Sequence, residues 1–237
     1  GDTARARALY EEALALLEAS GNRTGVALSY NGLGAVALQE GDLTGAASYF
    51  ERSLSVRREL GNPGAIADGL NNLGWIAVAD HRLDDAVVHY EESLSIYREL
   101  GNRAGSAAVL HNLGGLAEKR GDLVRARELY EESLSIHREL GDRSNLALGL
   151  HGLADLYRAL GQFEDAHARF LESAQILAAI GNLVTLARIF EAWAVLLVER
   201  GRIEEGITLL GVAGELSGRE DAAAVRAKPV WTEARQR

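Results

Sequence analysis

Apolar residues along this chain recur at helical spacing. Leu123, Ala126, Tyr130 and Leu134 follow the i, i+3, i+4 rule, with Leu140 closing the run, and Leu70, Leu73 and Ala77 repeat it in an earlier segment. No stretch alternates with period two for long enough to predict a strand. Breakers divide the pattern at regular intervals. One series runs Gly21-Asn22, Gly61-Asn62, Gly101-Asn102, Gly141-Asp142 and Gly181-Asn182. A second runs Gly41, Gly121, Gly161 and Gly201, with His81 filling its one gap. Together they define a repeat of 40 residues split into two halves, and the segments 90–102 and 130–142 are near copies.

The halves read as about eleven helices of roughly 16–18 residues, each about 25 Å long at 1.5 Å per residue. Pro63 follows Asn62 as a proline at the first helical position follows an asparagine cap. Gly61, Gly101 and Gly141 stand where a helix ends in a left-handed residue. Arg58, Arg98 and Arg138 fall in the preceding turn, favourable against the negative end of the helix dipole. A lone helix pair cannot bury its apolar stripe, so the copies are expected to stack. The expected organisation is one elongated all-α domain over residues 1–217, with a half repeat near 1–20 and units near 21–60, 61–100, 101–140, 141–180 and 181–217. Residues 218–237 read as a charged tail, either a frayed helix or disorder.

The residues within the repeats separate this pattern from other 40-residue helical repeats. Counting from the alanine that recurs at 27, 67, 107, 147 and 187, the first helices carry Leu33-Gly34, Leu73-Gly74 and Leu113-Gly114, continued by Leu153-Ala154 and Trp193-Ala194. A large residue precedes by three: Tyr30, Leu70, Leu110, Leu150 and Phe190. The second helices pair alanine with an aromatic four residues on: Ala46/Phe50, Ala86/Tyr90, Ala126/Tyr130 and Ala166/Phe170, with Ala6/Tyr10 in the first fragment. This resembles the tetratricopeptide repeat signature. The likeness runs from Gly1 to about Leu216 and is weakest in the last unit, where Gly206 and Leu210 replace the alanine and the aromatic. The long period is similar to that of kinesin light chain repeats and of the sensor region of maltose-regulator-type bacterial transcriptional activators. The resemblance implies a right-handed superhelical solenoid of antiparallel helix pairs.

In that family the side of the first helices opposite the core faces a concave groove. Stepping 100° per residue, this side carries offsets 2, 5, 6, 9 and 13 from the recurring alanine. Offset 5 reads Asn31, Asn71, His111, His151 and Glu191; offset 6 includes Asn72 and Asn112; offset 9 includes Trp75 and Asp155. Asparagine offers a donor and an acceptor together, so it pairs with the main chain of an extended peptide whatever the peptide's sequence. Trp75 adds an apolar anchor. Lys119 and Arg188 are the cationic residues at these offsets and lie far apart in sequence, which argues against a clamp for a terminal carboxylate. The candidate partner-binding residues are therefore Asn31, Asn71, Asn72, Trp75, His111, Asn112, Lys119, His151, Asp155, Arg188 and Glu191.

Composition narrows the partner. A formal charge of −9 disfavours direct nucleic-acid binding by this segment. No apolar run approaches the ~20 residues that span a bilayer, so no membrane association is expected and the cytoplasm is the expected compartment. Cysteine is absent, which removes thiol nucleophiles and thiolate metal sites, and the six histidines lack metal-ligand spacing. Residues 32–37 match a dinucleotide-binding glycine pattern but lie within a helix with no strand before them. Glu91-Glu92 and Glu131-Glu132 read as solvated charge. No catalytic residue, cofactor or metal is expected.

The sequence thus predicts a non-enzymatic scaffold that binds a protein or peptide, within a larger multidomain bacterial protein. The alternative is the ligand- or partner-sensing segment of an ATPase-type transcriptional regulator. Gly1-Asp2 aligns with Gly41-Asp42, so the first helix lacks a partner in this chain and leaves a homodimer through an exposed terminal helix open.

Overall fold

The computed structural model describes residues 2–216. The expectation of a frayed or disordered tail over 218–237 lies outside the described residues. Eleven helices and no strand are present among the described residues: α1 (Asp2–Ala19), α2 (Arg23–Gln39), α3 (Leu43–Glu59), α4 (Pro63–Ala79), α5 (Leu83–Glu99), α6 (Arg103–Lys119), α7 (Leu123–Leu140), α8 (Arg143–Ala159), α9 (Phe163–Ile180), α10 (Leu183–Glu199) and α11 (Ile203–Leu216). They fall into two compact units divided within α6, an N-terminal unit to Leu116 and a C-terminal unit from Ala117. In the N-terminal unit each of α1 to α4 packs on the next helix, and in the C-terminal unit each of α7 to α10 does the same.

The breakers work as the sequence predicts. All nine glycines at the links have positive φ, and His81 takes the same left-handed conformation at φ 60°. That is a costly setting for a residue with a Cβ, and His81 occupies it because the link geometry is dictated by the helices on either side. Asn22, Asp42, Asn62, Asp122, Asp142 and Asn182 each cap a helix by accepting the backbone N–H three residues on. Pro63 sits at the start of α4 behind the Asn62 cap. Arg82 and Gln162 hold cap positions without a side-chain cap bond.

Close packing within each pair follows from size. A Cβ on Gly34 would lie 2.8 Å from the Phe50 ring, and one on Gly74 would lie 2.5 Å from the Tyr90 ring. Only glycine lets these rings close over the facing helix. The core is continuous in the C-terminal unit, where Phe170, Leu177, Leu186, Phe190 and Trp193 are buried together. Leu140 does not belong to the buried stripe of α7. It is 45% exposed at the end of the helix, and His137 takes the inward position.

A buried hydroxyl reinforces three of the helix pairs. Ser53 donates to the Ala27 carbonyl at 2.8 Å, Ser93 to Ala67 at 2.8 Å and Ser173 to Ala147 at 2.7 Å. Ion pairs join successive second helices at the surface, Arg58 with Glu92 at 3.1 Å and Arg138 with Glu172 at 3.0 Å.

Candidate functional site

The first helices of the N-terminal unit carry their amides in one row. The Asn72 side-chain N–H donates to the Asn31 carbonyl oxygen at 3.0 Å, and that of Asn112 donates to the Asn71 carbonyl oxygen at 2.9 Å. Each bond joins offset 6 of one repeat to offset 5 of the repeat before it, tying α2 to α4 and α4 to α6. Each uses one N–H of the donor amide and one lone pair of the acceptor. Among the described residues, the N–H groups of Asn31 and Asn71 and the carbonyl oxygens of Asn72 and Asn112 make no side-chain hydrogen bond with the protein. All four side chains are half-buried.

Trp75 lies one turn beyond Asn71 and Asn72 on α4. Its indole is 49% exposed rather than packed into the core. At the same register, α2 carries exposed Ala35 and α6 carries half-buried Gly115. His111 is half-buried on α6 at offset 5.

The C-terminal unit presents different chemistry at equivalent offsets. His151 Nε2 stands 3.1 Å from Asp155 Oδ2, one turn along α8. Arg158, which the offset pattern omits, approaches the other Asp155 oxygen at 3.7 Å and pairs with Glu199 on α10 at 2.8 Å. Glu118 is half-buried beside them and accepts a hydrogen bond from the Tyr130 hydroxyl at 3.3 Å. Burial pushes the Glu118 carboxyl above the usual carboxylate range, the Tyr130 hydrogen bond opposes the shift, and the negative charge of Asp155 adds to it. Lys119, Arg188 and Glu191 are exposed and form no hydrogen bond or salt bridge among the described residues. The structure thus joins Asn31 with Asn72, Asn71 with Asn112 and His151 with Asp155, and leaves Lys119, Arg188 and Glu191 apart.

Several polar residues that matter here carry no groove signature. His167 accepts the Trp193 indole N–H at Nδ1, 2.9 Å away, which places the proton of its neutral ring on Nε2. Arg57 is buried on α3, donating to the Ala65 carbonyl at 2.7 Å, and burial lowers its pKa. Tyr97 donates to Asp68 at offset 2 of α4. Arg158 stands at offset 12, which a fuller set of offsets would have caught, whereas its partner Glu199 already falls at offset 13.

A family model described as tetratricopeptide repeat matches residues 1–59, 25–99 and 105–179. The chain belongs to the tetratricopeptide repeat family. Among solved structures, BtubC (BKLC) from P. vanneervenii shares 18% identity at TM-score 0.76, covering 96% of this chain and 94% of that one. The Rap conjugation gene regulator of plasmid pLS20, solved in complex with the Phr* peptide, shares 17% identity at TM-score 0.71 over 99% of this chain and 70% of that one. A signal transduction ATPase with numerous domains from Pyrococcus horikoshii, which has a tetratricopeptide repeat sensor, shares 17% identity at TM-score 0.67 over 97% of this chain and 39% of that one. Among curated proteins, nothing matches by sequence. The tetratricopeptide fold is generally a non-catalytic scaffold. No helix among the described residues is long and apolar enough to cross a membrane.

Proposed function

We propose that this tetratricopeptide segment is a non-catalytic, cytoplasmic scaffold that binds a protein through an extended peptide, on the first-helix face of its N-terminal unit. The observation that carries the reading is the amide row. Asn31, Asn71, Asn72 and Asn112 hold one another half-buried while each retains a donor or acceptor for a peptide main chain. Trp75 supplies the apolar anchor and His111 a further polar contact. His151 and Asp155, with Lys119, Arg188 and Glu191, give the C-terminal unit a separate charged surface for partner contacts. The Rap regulator solved with a peptide is a relative in fold and is consistent with this reading.

The test is the double variant Asn71→Ala with Asn112→Ala. These residues are the two partners of one hydrogen bond, so removing both leaves no orphaned amide. Peptide binding is expected to weaken at least about tenfold, the usual consequence of losing anchoring contacts, with helicity and melting nearly unchanged. Unaltered affinity would overturn the proposal.

A second reading rests on the ATPase relative with a repeat sensor. Here the segment senses a ligand or partner and relays it to attached domains that regulate transcription. It predicts a rise in melting temperature with a small molecule that does not compete with peptide. Self-association has its own basis in α1, which has no buried residue and leaves Leu9 and Leu16 58% and 66% exposed. Light scattering at increasing concentration tests it, and a monomer throughout would dismiss it.

A further inference from the structure

The chemistry of the N-terminal face defines its occupant more narrowly. We infer that this face takes an uncharged extended segment bearing one bulky apolar side chain, which seats against the Trp75 indole. The inference rests on the peptide-binding reading of that face.

Charge is the first argument. A quarter of the chain is Asp, Glu, Lys or Arg. Yet none of the eleven positions at offsets 5, 6, 9 and 13 on α2, α4 and α6 as far as Gly115 carries one of them. The single charge at offset 2 there, Asp68, is already engaged by the Tyr97 hydroxyl. The same offsets in the C-terminal unit hold Lys119, Asp155 and Glu199, so an uncharged face is not a general property of this repeat. A charged peptide residue docked against these eleven positions would lose water and meet no counter-ion among them.

The second argument is shape. Trp75 projects from α4 while its register neighbours on α2 and α6 are Ala35 and Gly115. The Asn31–Asn72 and Asn71–Asn112 bonds hold these helices in register one turn away. The indole therefore stands between two low positions, an apolar shelf with room on either side for a Leu, Ile or Phe side chain. Amides on one turn and an indole on the next match a peptide whose main chain is held by hydrogen bonds and whose register is set by one apolar residue.

A positional-scanning library of fluorescent extended peptides, titrated with the full chain at about 50 and about 500 mM salt, tests the inference. Selected peptides are expected to carry one large apolar residue with uncharged neighbours. Their affinity should change less than about threefold between the two salts, because no exposed ion pair contributes. Trp75→Ala should weaken binding at least about tenfold; since the indole is half exposed, melting should hold. Selection of charged peptides whose binding falls steeply with salt, while the Asn71/Asn112 double variant still abolishes it, would overturn the inference and leave the groove reading standing. The same holds for tight binding that ignores Trp75→Ala. Absence of any binding, or binding indifferent to the double variant, would overturn both.

Discussion

The Asn112 side-chain amide donates to the Asn71 carbonyl oxygen at 2.9 Å across two neighbouring first helices, 41 residues apart in sequence. Asn31 and Asn72 repeat the arrangement one repeat earlier. A row that looks free in sequence is partly occupied by itself. A double-mutant cycle on Asn71 and Asn112 should return a coupling of about 0.5–1 kcal/mol in urea unfolding. Each single alanine variant should cost more than its share of the double. Simple additivity would mean that the bond contributes nothing to stability.

His81 is held at φ 60°, where the other links use glycine. The left-handed conformation costs an ordinary residue about 1–2 kcal/mol, and glycine's greater freedom in the unfolded chain returns about half of that. His81→Gly is therefore expected to stabilise the protein by about 0.5–1 kcal/mol. A lower urea midpoint for the variant would contradict this account of the link.

Ser93 is fully buried and donates to the Ala67 carbonyl. Ser93→Ala should cost about 1 kcal/mol, the net value of a buried hydrogen bond, with little change in helicity by circular dichroism. No loss would show that the carbonyl is satisfied by its own helix alone.

His137 is buried on α7, and burial lowers its pKa despite Asp142 at 3.5 Å. Burial lowers His89 as well, on α5. An unfolded histidine takes up a proton near pH 6.5, whereas these two resist it when folded. Below that pH the unfolded state binds more protons, so stability falls as pH falls from about 6.5 toward the lowered values. Glu118, raised by burial, acts with the opposite sign, losing stability as pH rises from about 4.5. Leucine stands at the equivalent positions 17 and 177. Melting of the His137→Leu variant should accordingly depend less on pH below 6.5; an unchanged slope would assign the effect elsewhere.

The fold was legible because its determinants are local and repeated. Glycine links, asparagine and aspartate caps, and the pairing of Gly34 with Phe50 and Gly74 with Tyr90 all lie within one repeat. The candidate face was legible as a set of positions, since offset along a helix determines the side on which a residue falls. Its internal bonds were not. Asn72 and Asn31 meet only because two helices a full repeat apart lie side by side, at a separation that no single-helix count contains. The same limit applies to Arg158 and Glu199. Ser53, Ser93 and Ser173 were visible as copies, but their hydroxyls find Ala27, Ala67 and Ala147 only once the paired helices close to contact distance. His137 was obscured by Leu140, whose apolar character suggested burial at a helix end that stays in water.

The left-handed links at twenty-residue intervals also determine how such a chain tolerates changes in length. Gain or loss of forty residues between equivalent links adds or removes one whole helix pair and leaves the recurring alanine, glycine and aromatic positions of its neighbours in register. A single inserted residue within α4 is a different event. It turns everything between itself and the next link by about 100°, carrying Trp75 off the exposed face and a core residue onto it. Duplication is thus a mild edit for this gene product, and frame-preserving slips of one codon are severe ones.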